Sequence, residues 1–185
     1  MNAQTKVSVA MVGGFVVGLA CSMQLVQGQG QQRPTPVSGP LSHISFAVAD
    51  VEKSTKLFAD VFGIDSVGKA MEYPGIKWGP AFPGKTYGNK RMGLTINGIS
   101  FEFLQPLPGD NPYSQFMAQG GEGVHHIGFN VTDVPKARDY LVSKGGVQTQ
   151  EYAEWANYVD MHKAGLPITF EITNPPAQRP APAAK

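Results

Sequence analysis

Charge is scarce in this sequence, and neither sign prevails. Charged residues make up 16% of 185 positions, with 15 Lys+Arg against 14 Asp+Glu. A balance this close to zero offers no electrostatic footprint for nucleic acid. Cysteine is almost missing: Cys21 stands alone, which excludes a disulfide within the chain and any Cys-rich zinc site. No glycine motif of the phosphate-cradling or dinucleotide type is present, since Gly13, Gly14 and Gly18 lack the strand–helix context that such motifs need. What the sequence has instead is apolar residues, at 42%, and turn formers, with 22 Gly and 15 Pro. That composition describes a foldable chain with many turns, long enough for one domain or two small modules.

Long apolar runs are confined to the N-terminus. Residues 1–30 carry one charge, Lys6, then an apolar stretch from Val7 to Val26, then a Gln/Gly-rich exit. This is the pattern of a secretory signal peptide, and the stretch is nearly long enough to serve as a retained membrane anchor. Either reading places the folded part outside the cytoplasm, secreted or periplasmic, with a membrane tether in the second case. Removal of residues 1–30 takes Lys6 with it and leaves 14 basic against 14 acidic residues. Residues 31–40 read as a Pro-rich linker and 174–185 as a disordered Pro/Ala-rich tail.

Between them, one pattern occurs twice. Leu41–Val48 alternates apolar and polar residues, as a strand does; Asp50 then caps a helix over Val51–Phe62, which Gly63 ends. Val124–Val131 alternates in the same way, and Asp133 caps a helix, with Pro135 in its first turn, running to Lys144. Each half closes on a similar strand, Ile99–Leu104 and Ile168–Thr173. Two more strands fit in each half, at 66–72 and 91–96, then 147–154 and 158–162. A short helix over 113–118 links the halves. The expected architecture is α+β: two tandem βαβββ modules, 41–107 and 123–173, each too open to stand alone and covering its apolar face against the other around a cleft. A long loop over 73–90 in the first module reads as a lid, with Trp78, Phe82 and Tyr87 over a substrate and Lys77, Lys85, Lys90 and Arg91 near enough to attract an anion.

The chemistry-bearing residues fall on matching positions of the repeat. His43 and His126 stand on the opening strands, Glu102 and Glu171 on the closing ones. Phe101 and Phe103 point to one face, so Glu102 points to the other. Two imidazoles and two carboxylates form a mixed N/O set suited to a divalent Zn, Ni, Co, Mn or Fe ion, with coordination positions left for substrate. His125 alternates away from His126 and reads as a neighbour, not a ligand.

These residues, and above all FEFLQPLPGDNPYSQFMAQGGEGVHHIGF from Phe101 to Phe129, resemble the vicinal oxygen chelate (VOC) superfamily, with its glyoxalase/bleomycin-resistance fold. The segment is most similar to the methylmalonyl-CoA epimerase branch, while a His/Glu/His/Glu set is closer to glyoxalase I. The resemblance implies metal ligands at His43, Glu102, His126 and Glu171, and enolisation of a small carbonyl substrate with Glu171 or Glu102 as the base, by an isomerase or lyase. It also admits an extradiol-type Fe(II) dioxygenase or a non-catalytic binding protein of the resistance type. Modules of this kind pair within or between chains, which admits a homodimer.

Overall fold

A computed structural model describes residues 33–178 except Ala81. Residues 1–30, where a leader is expected, and residues 179–185 of the expected tail lie outside the described residues. The elements run β1 (Leu41–Ala47), α1 (Val51–Val61), β2 (Met71–Lys77), β3 (Thr86–Ile96), β4 (Ile99–Pro106), α2 (Pro112–Gly120), β5 (Gly123–Asn130), α3 (Val134–Ser143), β6 (Val147–Tyr152), β7 (Ala156–Asp160) and β8 (Thr169–Thr173). The expected βαβββ unit therefore occurs twice, with α2 between the copies.

The helices start where their caps dictate. The Asp50 side chain accepts from the Lys53 amide at 3.0 Å, and Asp133 accepts from Lys136 at 2.9 Å. Each cap satisfies an N–H that the helix itself leaves free. Asn111 caps α2, with Pro112 in its first turn.

The strands close in the order β1-β4-β3-β2-β6-β7-β8-β5. The modules join along β1 and β5, which pair antiparallel, and again where β2 meets β6 at Lys77 and Glu151. Within each module the opening strand runs parallel to the closing one, β1 to β4 and β5 to β8. Alternation then sorts side chains by face. Phe46 stacks on Phe103 at 5.2 Å, and Phe58 of α1 packs against Phe101 and Phe103. Val134, Ala137 and Leu141 of α3 pack with Val159 and Ile172. With the apolar positions committed to the helices, the alternate positions Ser45, Glu102, His126 and Glu171 face the concave side of the sheet.

The segment 73–90 is not a long loop. Tyr73 pairs with Asn89, Ile76 with Tyr87 and Lys77 with Thr86, so only residues 78–85 connect the strands. Pro74-Gly75 sits at a shift in the β2–β3 register, where Gly75 has φ 75°. β2 has little pairing on its other side, so Pro74, which lacks an N–H, is tolerated there. β2 consequently begins at Met71 rather than at Ser66, and β3 is five residues longer than expected at its start.

Residues from the expected linker also make contacts. Pro40 accepts from the Asn130 amide at 2.9 Å, Val37 packs against the core under α3, and a Cβ on Gly39 would lie 1.7 Å from the Asn130 carbonyl oxygen. A glycine is required at that approach.

Candidate metal centre

Strand register builds the centre in two rows. Across β1, β5 and β8, His43 lies beside Gly128, and Gly128 beside Glu171. Across β4, β1 and β5, Glu102 lies beside Ser45, and Ser45 beside His126. Gly128 leaves a gap that the His43 ring occupies: a Cβ there would meet His43 Cε1 at 2.4 Å and Nδ1 at 2.6 Å.

Three side chains converge. His43 Nε2 lies 3.2 Å from His126 Nε2 and 3.0 Å from Glu171 Oε2, and His126 Nε2 lies 3.1 Å from the same oxygen. His126 is fully buried and the Glu171 side chain is 8% exposed. Adjacent corners around a six-coordinate ion with bonds of about 2.1 Å stand about 3.0 Å apart, so the three donors fit one face of such an ion. Among the described residues they form the one group of His, Cys, Asp or Glu side chains close enough to hold a metal.

Glu102 belongs to the same neighbourhood on different terms. Its Oε2 is 3.9 Å from His43 Nε2 and 4.0 Å from His126 Nε2. Ser45 Oγ donates to that oxygen at 2.6 Å, and Arg91 Nη1 pairs with Oε1 at 2.9 Å. Of the four expected ligands, the structure brings three together and holds the fourth at the rim.

The electrostatics follow from burial and contact. Burial disfavours the charged form of Glu171, but hydrogen bonds and charge from His126 and His43 outweigh it and hold its pKa well below the usual carboxylate range. Burial likewise opposes protonation of His43, and the hydrogen bond and charge of Glu171, with Glu102, outweigh it and raise its pKa. His125 is the neighbour that alternation implies. Its Nδ1 is 2.9 Å from His126 Nδ1, and burial, with the nearby charge of His126, pushes its pKa well down, so it is a neutral partner that orients the His126 ring. Tyr158 packs edge-on against His126 at 5.0 Å, and burial raises its phenol pKa.

The centre opens on a cavity of about 1320 Å³, walled by His43, Glu102 and Glu171 and extending to Tyr73, Lys77, Tyr152 and Trp155. Other expected residues lie elsewhere. Trp78, Phe82 and Tyr87 do not line this cavity: Trp78 stacks on Phe82 at 4.2 Å, and Trp78 and Tyr87 are 3% and 5% exposed, in a cluster with Ile76, Leu104 and Tyr113. The extra strand residues of β2 and β3 carry them inward, where a lid would have left them in solvent. Lys85 pairs with Asp110 and Lys90 with Glu52, so neither faces the cavity, whereas Lys77 and Arg91 do.

Sequence reasoning missed Ser45, Asn89 and Tyr158, and it missed the partner of Arg91. A signal for Ser45 existed: the spacing His43–Ser45 repeats as His126–Gly128, so both halves present the second position to the same face.

Known proteins share the fold and the family. A model of the Glyoxalase/Bleomycin resistance protein/Dioxygenase superfamily matches residues 42–162. The ethylmalonyl-CoA/methylmalonyl-CoA epimerase of Cereibacter sphaeroides is 28% identical over 108 residues, 58% of this chain and 72% of that protein. The 4-hydroxyphenylpyruvate dioxygenase of Dictyostelium discoideum is 28% identical over 113 residues, 59% of this chain and 27% of that protein. The crystal structure of methylmalonyl-CoA epimerase from Mycobacterium tuberculosis has the same fold, with TM-score 0.53 and 19% identity over 78% of this chain and 92% of that one. The family match begins in the strand of the first histidine and runs past the second to residue 162, covering all but the last strand of the two modules, and the chain belongs to the glyoxalase/bleomycin resistance protein/dioxygenase superfamily.

Proposed function

We propose that the chain is an exported, metal-dependent enzyme that enolises a small carbonyl substrate, as an isomerase or lyase. One observation carries this reading: His43, His126 and Glu171 converge at the wall of an open cavity while a further carboxylate, Glu102, is held beside them. Export rests on the composition of residues 1–30. His43, His126 and Glu171 would hold a divalent cation, which would supply Lewis-acid chemistry toward a substrate carbonyl.

The chain's own groups divide the remaining work. Glu171 sits between two imidazoles with its pKa depressed, which suits a ligand and makes it a poor base. Glu102 has the better position for moving a proton. Its carboxylate faces the cavity, Ser45 and Arg91 fix its orientation, and its Oε2 is the oxygen nearest the triad. His125 keeps the Nε2 of His126 turned toward the centre by holding Nδ1. Tyr158 and Tyr113 close the wall without adding charge, since burial raises both phenol pKa values.

The test is proton exchange. The Zn-, Ni-, Co- or Mn-loaded chain is incubated in D₂O with 2-oxo acids and acyl thioesters, and deuterium uptake next to the carbonyl is followed by NMR. Catalysed exchange is expected, with Glu102→Gln slowing it by about 10² or more while metal content stays unchanged. A second reading, an Fe(II) dioxygenase, gains from the three-donor face itself, because two imidazoles and one carboxylate suffice for that chemistry. Ring cleavage of catechol by the Fe(II)-loaded chain, with no exchange under any other metal, would select it.

A further inference from the structure

The concave face of β3 carries Asn89, which the reaction above does not use, and Arg91, of which it uses only the end paired with Glu102. Arg91 and Asn89 are two positions apart, so they point to the same face about 7 Å apart along the strand, and both line the cavity. The Arg91 guanidinium carbon lies 4.1 Å from the Tyr73 ring centroid, and one end of its fork is on Glu102. That leaves N–H donors available in a side chain 40% exposed to the cavity mouth. Stacking on Tyr73 fixes the guanidinium plane, which is what bidentate pairing with an oxyanion needs.

Asn89 is 4% exposed, and its Oδ1 has no hydrogen-bond partner. A buried amide oxygen left unpaired is costly, and Asn89 lines the cavity wall, so its amide can reorient when a molecule binds there. The two ends of an amide exchange by rotation, so Asn89 can turn its –NH₂ toward an acceptor.

Charge points the same way. The cavity wall carries Glu102, Glu151 and Glu171 against Lys69, Lys77 and Arg91. These cancel, so a divalent ion on the triad makes the wall positive by two charges and favours an anion.

We propose that Arg91 and Asn89 form a recognition site for an anionic group of the substrate, so that the substrate class is carbonyl compounds bearing a carboxylate a few bonds from the chelating oxygens. The site rests on the enolisation reading for what occupies the metal, and on its own residues for the anion.

A matched pair of chelators tests it. Succinomonohydroxamate and butyrohydroxamate share chain length and two neighbouring oxygens, and differ in ending as carboxylate or methyl. Binding to the Co(II)-loaded protein is followed by the cobalt absorption spectrum. The carboxylate compound is expected to bind about tenfold tighter or better. Arg91→Met should bring the ratio of the two affinities to within about twofold, a comparison that cancels any change which loss of the Glu102 pairing makes to binding of the shared hydroxamate, Arg91→Lys should restore part of the ratio, and Asn89→Leu should remove a smaller share. Equal affinity of the wild type for both compounds, or an advantage that persists in Arg91→Met, overturns the site even though the metal centre stands. If no Co(II) spectrum develops, the metal reading fails by itself. Calorimetry of succinomonohydroxamate on the metal-free chain then decides the anion site, with Arg91-dependent binding supporting it and binding that is absent or indifferent to Arg91 overturning it.

Discussion

The two modules share a plan and differ at three positions around their glutamates, and those three make the centre asymmetric. Beside Glu171 the sheet places Gly128 and Tyr158; beside Glu102, at the matching places, it puts Ser45 and Gly93. Two residues before Gly93 stands Arg91, where the second module has Ala156. In the second module the missing side chain at 128 lets the His43 ring in, and Glu171 meets both imidazoles. In the first module Ser45 and Arg91 hold Glu102 about 1 Å further out, as its 3.9 and 4.0 Å distances show. Duplication supplies four candidate ligands, and the neighbours decide which three converge.

The comparison can be broken at Gly128, and the largest effect is expected there. Gly128→Ala puts a methyl where the His43 ring lies, so the ring must leave the centre. Loss of one imidazole should weaken Zn(II) binding, measured by competition with a chromophoric chelator, by at least about 10². Next in size is His125→Phe, which removes the partner of His126 Nδ1 while keeping the ring packed against Tyr113. Loss of the group that hydrogen-bonds a ligating imidazole costs about 10- to 100-fold in metal affinity, and the same competition assay reads it. A smaller change, of opposite sign, is expected when the first module is made to resemble the second. Ser45→Gly with Arg91→Ala frees Glu102 to swing inward as a fourth donor, and Zn(II) should bind several-fold tighter.

The smallest effect is on pH dependence without metal. The depressed pKa of Glu171 contributes stability that is present above its unfolded value of about 4.3 and is lost as pH falls through the folded value. The raised pKa of His43 contributes stability that is present below about 6.5 and is lost as pH rises through the folded value. Both are complete only between those limits, while the depressed pKa of His125 removes stability as pH falls below about 6.5, so the Tm of metal-free protein should peak toward the upper limit. Zn(II) binds the unprotonated ligands, so the peak should move to higher pH when metal is added.

Much of this was legible in the sequence because duplication doubles every weak signal. One histidine in an alternating strand says little, but His43 and His126 in matching strands, with Glu102 and Glu171 in matching contexts, point to one centre. The caps at Asp50 and Asp133 carry local chemistry that reads directly. The exception is the segment 73–90, which reads as a long loop and instead pairs across β2 and β3, with a shift in register between Tyr73 and Ile76. Burial of Trp78 and Tyr87 follows from that pairing and has no local signature. The restraint on Glu102 was hidden for a related reason: Ser45 and Arg91 are 57 and 11 residues from it and meet it only across the strands.

The claim that three ligands hold the metal and a fourth carboxylate stands outside is tested most directly by metal content. Protein purified after metal-replete growth is analysed by elemental mass spectrometry as wild type, Glu171→Ala and Glu102→Ala. The account predicts near-stoichiometric divalent metal in the wild type and in Glu102→Ala, and loss of it in Glu171→Ala. Equal loss in both variants, or a wild type without metal, would contradict it.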